Sequence, residues 1–214
     1  MTPTALILIV AAVAAVVDWW AVATDRRPVE LIAKPAAMAA LVGVAASAGS
    51  PPGDVRIWLV IGASFGLVGD VALLGDGESA FMAGLASFAL GHLAYAVAAV
   101  LIGFAPLPAL GGAVFTALLL GYRFVPETLP GARDHGGPVL AGAVVVYAAV
   151  ISAMVIASWG SGRWMAAVGA SLFAISDWVL GYQRFVAPLR GGRVAVHVPY
   201  HVGQALLIIG LAGV

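Results

Sequence analysis

Two aspartates stand inside long apolar stretches of the sequence and have the clearest capacity for chemistry. Asp70 ends the run GASFGLVGD at 62–70, and Asp177 ends the similar run GASLFAISD at 169–177. A carboxylate inside an apolar membrane helix costs roughly 3 kcal/mol unless it faces protein or water, so its presence points to function. Paired carboxylates can divide acid–base work, one donating a proton while the other stays ionised. We therefore predict that Asp70 and Asp177 form a catalytic pair.

Further polar side chains recur in other apolar stretches, at spacings that place them on one face of a helix. They are Lys34 in one stretch, His92 and Tyr95 in a second, and His197, Tyr200, His201 and Gln204 in a third. We expect most of them at the site of the aspartates, with His201 as a further candidate and His197 solvated near its helix start. Lys34 either joins this site or extends along its helix to the membrane surface. Asp18, next to two tryptophans, is expected to anchor its helix at the membrane interface.

Composition places these residues in a membrane. Hydrophobic residues make up 63% of the 214 and charged residues 9%, whereas a soluble domain carries about 25% charged residues. Apolar stretches long enough to cross roughly 30 Å of hydrocarbon recur along the chain. We predict an all-α integral membrane protein with a single domain, 1–214, and eight transmembrane helices. The predicted spans are 4–23, 32–49, 56–75, 79–104, 106–124, 137–158, 163–182 and 197–213, separated by segments rich in proline, glycine and charge, among them 126–138.

The arginines set the expected orientation of these helices. Seven arginines belong to the first, third, fifth and seventh connections, whereas the second, fourth and sixth hold only Arg56 and Arg163. Connections rich in positive charge stay in the cytoplasm. We therefore predict that both termini lie outside and that the polar residues form a pocket open to the cytoplasmic side of the cell (inner or plasma) membrane.

The two aspartate runs also indicate an internal repeat. Both runs open with Gly-Ala-Ser, and Asp70 and Asp177 lie 107 residues apart (177 − 70), which is half the length of the chain. A duplicated unit of four helices would give two parallel halves, related by an axis along the membrane normal. Chance matching in a chain rich in alanine and glycine is the alternative. If the repeat is real, the two aspartates lie at the same depth.

Composition also excludes several functional classes. Ten basic and ten acidic residues leave no basic stripe for the phosphates of a nucleic acid, so none is expected as a partner. The chain has no cysteine, which excludes disulfides, thiolate catalysis and thiolate metal sites. No cofactor is expected.

The same residues, in the same order, resemble the YhhN family, which includes the animal TMEM86 proteins known as lysoplasmalogenases. The resemblance rests on Lys34-Pro35, Gly69-Asp70, Gly84-Leu85 with Gly91-His92 and Tyr95, Ser176-Asp177, and Tyr200 with Gln204. It implies an eight-helix membrane hydrolase that cleaves the vinyl ether bond of a lysoplasmalogen, which is a lysophospholipid. The products would be a fatty aldehyde and glycerophosphoethanolamine or glycerophosphocholine. The partners would be this lipid and the surrounding membrane lipids.

Two carboxylates suit the implied reaction. A vinyl ether hydrolyses when an acid protonates the carbon distal to oxygen and water attacks the resulting oxocarbenium ion, an intermediate of the type that glycosidases stabilise. One aspartate would deliver the proton, and the other would stay ionised, stabilise the cation and direct the water. The sequence leaves open which is which. Lys34 would bind the lipid phosphate. Orientation of the aspartates, the water or the glycerol hydroxyls would fall to His92, Tyr95, Tyr200 and Gln204.

Two other classes of protein stay open on the sequence alone. A small transporter of a solute or lipid can also combine parallel repeats with charged residues near the membrane midplane. A metal-dependent lipid hydrolase would use His92 or His201 with an aspartate to hold a metal ion that activates water.

Overall fold

The computed structural model describes residues 2–49 and 52–213, which fold into helices without any strand. The helices are α1 (Pro3–Ala23), α2 (Arg27–Ser47), α3 (Gly53–Leu73), α4 (Glu78–Ile102), α5 (Pro106–Leu119), a π-helical segment (Leu120–Thr128), α6 (Leu129–Gly160), α7 (Trp164–Phe185) and α8 (Gly192–Ala212). Within the described residues, seven helical stretches are long and apolar enough to cross a membrane, and one of them is the whole run Pro106–Gly160. The prediction of an all-α protein with several membrane-spanning helices is confirmed.

The long helical run Pro106–Gly160 folds back on itself. Gly112 in α5 packs against the other end of the run, because a Cβ added at this glycine would lie 3.1 Å from the Cα of Ile156 in α6. Helical geometry fails within α6 at Gly136 and Gly137, where two helices meet at a kink. The run is therefore an antiparallel pair of helices rather than one straight rod.

The predicted connection 126–138 is wrong, since this stretch is helical apart from the two glycines at the kink. Pro126 lies inside the π-helical segment. A proline lacks the N–H that the regular helical hydrogen bond requires, and here the chain widens into a π-helix instead of leaving the helix. Gly137, with a φ of 66°, makes the break, and Pro138 follows it as an acceptable first residue of the next helical turn.

Several helices extend beyond the apolar stretches that predicted them. α2 begins at Arg27 rather than at 32, and α8 begins at Gly192 rather than at 197. Hydropathy detects only the part of a helix that lies in hydrocarbon. In α2 the added turn contains Pro28, whose fixed φ favours the first turn of a helix.

Glycines bring the helices of two hairpins into close contact. In the α3–α4 hairpin, a Cβ on Gly91 would lie 3.0 Å from the carbonyl oxygen of Gly62. In the α7–α8 hairpin, a Cβ on Gly203 would lie 2.8 Å from the carbonyl oxygen of Gly169. Small residues at such crossings let the backbones of membrane helices approach closely. In addition, α2 packs on α8 and α6 packs on α4. These contacts fix α3 and α7, which carry the two aspartates.

The outer surface of the bundle is apolar. On α1, the side chains of Leu6, Val10 and Val13 are more than half exposed. Such a surface is stable against lipid hydrocarbon, where the helices satisfy their own backbone hydrogen bonds. The large fully buried side chains include Tyr95 and Phe173, so aromatic rings fill the interior beside the polar groups.

Candidate functional site

Asp70, near the end of α3, is enclosed by residues from α2 and α8. Its side chain has no exposed surface, its Oδ1 lies 3.2 Å from Nζ of Lys34, and its Oδ2 accepts a 2.6 Å hydrogen bond from the hydroxyl of Tyr200. Lys34 is only 8% exposed, so it joins the site instead of extending to the surface. Each charge compensates the other at a depth where either alone would be costly.

Asp177, on α7, has a different environment. Its Oδ2 accepts a hydrogen bond from the hydroxyl of Tyr147 on α6. No lysine or arginine in the described part of the chain lies within ion-pairing distance of it. Its side chain lines a cavity of about 60 Å³, here called the apolar cavity, whose wall is mostly hydrocarbon and includes Leu85, Phe88 and Phe185. Asp177 is thus a reachable carboxyl group in apolar surroundings.

Tyr147 is absent from the residues that the sequence predicts for this site. It stands alone in the apolar stretch AGAVVVYAAV at 141–150, where a single tyrosine is easily interpreted as a packing residue. Its hydroxyl is the one feature that indicates a polar partner, because a tyrosine buried in an apolar helix usually finds a hydrogen-bond partner. Nothing in the spacing indicates that the partner is Asp177.

A series of ring contacts joins the two tyrosines of the site. The centroid distances are 5.3 Å from Tyr200 to Phe173, 4.6 Å from Phe173 to His92, and 5.6 Å from His92 to Tyr147. His92 is 1% exposed, and neither of its ring nitrogens has a hydrogen-bond partner among the described residues. The structure therefore places His92 between the two aspartate–tyrosine pairs without a hydrogen bond to either aspartate.

Tyr95 and Gln204 bond to each other. The hydroxyl of Tyr95 on α4 donates to Oε1 of Gln204 on α8 at 2.9 Å, and both side chains are buried. Gln204 lies about one helical turn beyond Tyr200. This hydrogen bond ties α4 to α8 close to the hydroxyl that contacts Asp70, so any effect of the pair on the aspartates is through helix position.

A larger cavity of about 300 Å³, here called the polar cavity, adjoins the apolar cavity. Both have Leu73, Phe81 and Leu180 in their walls. The charged and polar residues of the larger wall are Arg27, Glu30, Lys34, Asp76, Gln183, Arg184, Arg193 and His197. Lys34 therefore lies between this cavity and the buried carboxylate of Asp70.

Salt bridges hold part of the polar cavity in place. Glu30 is buried and lies 3.0 Å from Arg27 and 2.5 Å from Arg193, which connects the start of α2 to the start of α8. Arg184, at the end of α7, makes no ion pair with any described residue. Among the described residues, no carboxylate lies within ion-pairing distance of its guanidinium.

The first helix adds a buried carboxylate–imidazole pair. Asp18 has no exposed surface, and its Oδ2 accepts a 2.7 Å hydrogen bond from Nδ1 of His197. The expectation that Asp18 anchors α1 at the membrane interface is wrong, and so is the expectation that His197 is solvated. Both errors have one cause: α1 packs on α8, and helical periodicity does not show which helices are neighbours.

His201 lies beside this pair but has another partner. Nε1 of Trp19 donates to Nδ1 of His201 at 3.1 Å, while the same nitrogen is 3.8 Å from Oδ2 of Asp18. Within residues 2–49 and 52–213, no three side chains of His, Cys, Asp or Glu are grouped so that they could hold a metal ion.

Most of the chain matches a known protein family. The family model described as the YhhN family matches residues 29–211. The chain belongs to the YhhN family. The resemblance seen in the sequence is thereby confirmed. The matched range begins after Asp18 and includes Lys34, Asp70, Tyr147, Asp177 and His197.

Curated relatives of this YhhN protein are lysoplasmalogenases. It is 35% identical to lysoplasmalogenase TMEM86B of Mus musculus over 163 residues, which cover 74% of this chain and 65% of the relative. It is 31% identical to lysoplasmalogenase TMEM86B of Homo sapiens over 145 residues (66% and 58%), and 29% identical to lysoplasmalogenase TMEM86A of Bos taurus over 169 residues (74% and 65%). The chain therefore spans less than two thirds of the length of these relatives. No solved structure matches it.

Proposed function

We propose that this YhhN protein is a membrane-embedded hydrolase of the lysoplasmalogenase type. It cleaves the vinyl ether bond of a lysoplasmalogen and releases a fatty aldehyde and glycerophosphoethanolamine or glycerophosphocholine. The observation that carries this proposal is the contact between two unlike cavities, one apolar with Asp177 in its wall and one polar with Lys34 in its wall. The names of the relatives support the substrate class.

The two cavities match the two parts of a lysophospholipid. The start of the hydrocarbon chain, with its vinyl ether bond, fits the apolar cavity, and the glycerophosphate fits the polar cavity. A further cavity of about 60 Å³ also borders Asp177 and Tyr147 and reaches Leu119 on α5, which gives the rest of the hydrocarbon chain a path. Lys34 and Arg184 supply positive charge for the phosphate.

The surroundings of the two aspartates support different roles. Asp177 faces hydrocarbon without a cation, where a neutral carboxyl group avoids the large cost of an unpaired buried charge. We assign it as the acid that protonates the distal vinyl carbon, with Tyr147 holding its orientation. Asp70 is the ionised partner, because Lys34 compensates its charge. Its side chain has no exposed surface, so it acts on the substrate through Lys34 and Tyr200.

The other predicted site residues have supporting positions in this scheme. His92 and its ring neighbours close the space between the two aspartate–tyrosine pairs. Tyr95 and Gln204 fix α4 against α8. His201 packs with Trp19 in the wall of an apolar groove and has no part in proton transfer.

We further propose that the chain crosses the membrane eight times as two parallel four-helix halves, with both termini outside and the polar cavity open to the cytoplasm. The packing of α2 on α8 and of α6 on α4 has the pattern that such a two-fold relation requires. The wall of the polar cavity comes from the first, third and seventh connections and their flanking turns, which belong to the arginine-rich set.

Labelling of single cysteines tests this topology. The chain has no cysteine, so Asp54→Cys and Glu78→Cys each introduce a single site for labelling. An impermeant maleimide should label Asp54→Cys and not Glu78→Cys on intact cells; the reverse result would invert the topology.

The experiment that tests the function is aldehyde release by the purified protein in detergent. The substrate is a lysoplasmalogen, and the control is the alkyl ether lysolipid with the same chain and headgroup, which lacks the double bond that accepts the proton. Turnover of the first lipid alone, unchanged by a strong chelator, supports acid catalysis by carboxyl groups. Turnover that the chelator abolishes would favour the metal-dependent hydrolase. A folded protein that releases no aldehyde from either lipid would refute the proposed function.

A further inference from the structure

The buried pair of Asp18 and His197 has the arrangement of a proton-accepting site. Oδ2 of Asp18 lies 2.7 Å from Nδ1 of His197. Because a carboxylate only accepts hydrogen bonds, Nδ1 carries a proton, and Nε2 is the ring nitrogen that can take up another. A buried carboxylate that holds one ring N–H fixes the orientation of the ring and of its other nitrogen. This arrangement makes a histidine an effective general base.

His197 has one ring nitrogen, Nε2, that Asp18 does not occupy. His197 lines the polar cavity together with Lys34, and its Nδ1 is already occupied by Asp18. Nε2 is therefore the ring nitrogen that remains to act on a group in the cavity. His201 does not duplicate this position, since its Nδ1 accepts from Trp19 and its side chain lines an apolar groove on another side.

The proposed reaction needs two proton transfers besides the one from Asp177 to carbon. Water must lose a proton when it attacks the oxocarbenium ion, and the glycerol oxygen must gain one when it leaves. Asp70 is buried behind Lys34 and has no exposed surface, so it does not reach a water molecule in either cavity. Resting on the proposed function, we propose that His197 is the catalytic base of this hydrolysis and that Asp18 is its positioning residue.

The proton balance closes over one catalytic cycle. Asp177 gives its proton to the distal vinyl carbon, and water then adds to the carbon bonded to oxygen while passing a proton to Nε2 of His197. The product of this step is a neutral hemiacetal beside an imidazolium ion. The hemiacetal hydroxyl next returns a proton to the Asp177 carboxylate, and the imidazolium protonates the glycerol oxygen as its bond to carbon breaks. Aldehyde and glycerol product leave, and both groups have regained their starting states.

The test uses His197→Ala in the full chain, with His135→Ala as the matched control. His135 is an exposed histidine of α6 whose Nδ1 contacts the carbonyl oxygen of Gly131 and whose ring centroid lies 5.9 Å from that of Phe185. We expect kcat for aldehyde release to fall about 100-fold in His197→Ala and to stay unchanged in His135→Ala. Free imidazole should restore a large part of the lost turnover in His197→Ala. Asp18→Asn should lower kcat without a comparable change in KM, because it misorients the ring and leaves the lipid contacts in place.

Each outcome separates this inference from the proposed function. A folded His197→Ala protein with turnover near wild type, or with a loss that imidazole does not restore, overturns the catalytic role of His197. If His197→Ala does not fold, His197→Gln keeps a hydrogen-bond donor for Asp18 but cannot take up a proton near neutral pH. A large loss of kcat in folded His197→Gln supports the proposal, and wild-type kcat overturns it. Absence of aldehyde from the wild type refutes the proposed function itself, and the role of His197 with it.

Discussion

The similar sequence runs 62–70 and 169–177 each end in an aspartate, but the structure encloses the two aspartates differently. In each half the aspartate receives a partner from the preceding helix: Lys34 on α2 for Asp70, and Tyr147 on α6 for Asp177. The lysine closes the first site, because a compensated charge can be buried completely. The tyrosine leaves the second site without a countercharge and open to a hydrocarbon-lined cavity. A change of one partner residue type thus gives two similar sequence motifs different surroundings, which is the basis of the different roles proposed for the two aspartates.

The largest loss of activity should come from substitution of Asp177, whose side chain lines the apolar cavity. If Asp177 is the acid, Asp177→Asn removes the transferable proton while keeping the size of the side chain and an acceptor for Tyr147. We expect turnover of the lysoplasmalogen to fall about 1000-fold, with the melting temperature of the protein in detergent nearly unchanged. Aldehyde release by the purified variant measures the first quantity, and thermal unfolding measures the second.

Asp177→Glu is the matched variant for this prediction. It keeps an acid but shifts it by one methylene, so it should retain more turnover than Asp177→Asn. Loss of a positioned acid lowers the rate by at least about 100-fold. If a folded Asp177→Asn protein keeps more than about a tenth of wild-type turnover, Asp177 is not the acid of this reaction.

Substitution of Asp70, whose side chain is fully buried, should lower the stability of the protein before anything else. Asp70→Asn leaves the Lys34 ammonium buried without a countercharge, and breaking such a pair costs about 3–5 kcal/mol. The double variant Asp70→Asn with Lys34→Met removes both charges and should recover most of the lost melting temperature. Its turnover should stay below wild type and its KM should rise, because the cation for the lipid phosphate is gone.

The comparison between single and double variants decides what Asp70 does. Recovery of stability without recovery of activity supports a charge pair that positions Lys34. If the double variant is no more stable than Asp70→Asn alone, the two groups are not an energetic pair. In that case the contrast between the two halves would lose its basis.

The two tyrosines give a smaller contrast. Tyr147→Phe deletes the hydroxyl that orients the proposed acid, and a hydrogen bond to a neutral carboxyl group is worth about 0.5–1.5 kcal/mol, or roughly 2- to 10-fold in rate. Tyr200→Phe deletes the corresponding hydroxyl on Asp70, where Lys34 still holds the carboxylate, and should change kcat by less. Steady-state kinetics of both variants test this order. Equal losses of kcat would mean that both aspartates take part in the chemistry directly.

The sequence predicted the polar side chains better than their partners. Asp70, Lys34 and Tyr200 lie together at one site, because buried polar groups in apolar helices need hydrogen-bonding or charged partners. The sequence named all three as candidates but left open whether Lys34 joins the site. The hydrogen bond between Tyr147 on α6 and Asp177 could not be predicted, since one tyrosine in an apolar stretch gives no information about its neighbour in space. The same limit applies to Asp18, whose partner on α8 is distant in sequence and adjacent only through packing.

Prolines in the sequence predicted one break between helices correctly and another wrongly. The break between α4 and α5 lies before Pro106, as expected for a proline in the first turn of a helix. Pro126 also has a phenylalanine two residues before it and a second proline shortly after it, yet it lies within a π-helix. A proline removes one hydrogen bond in either case. Whether the chain leaves the helix or widens it depends on packing that a local sequence pattern does not contain.

The smallest contrast concerns the glycines that begin the two motifs. A Cβ at Gly169 would lie 2.4 Å from the backbone nitrogen of Leu207, which cannot move without shifting α8, whereas a Cβ at Gly62 would lie 2.6 Å from the ring of Tyr95. Overpacking of this kind costs about 1–3 kcal/mol, and a side chain relaxes more easily than a backbone. Gly169→Ala should therefore lower the melting temperature more than Gly62→Ala. Gly142→Ala, where a Cβ meets nothing within 4 Å, is the matched control and should leave stability nearly unchanged. If Gly62→Ala is the more damaging change, the Tyr95–Gln204 hydrogen bond is more rigid than the contact between α7 and α8, and the first half is the more tightly packed one.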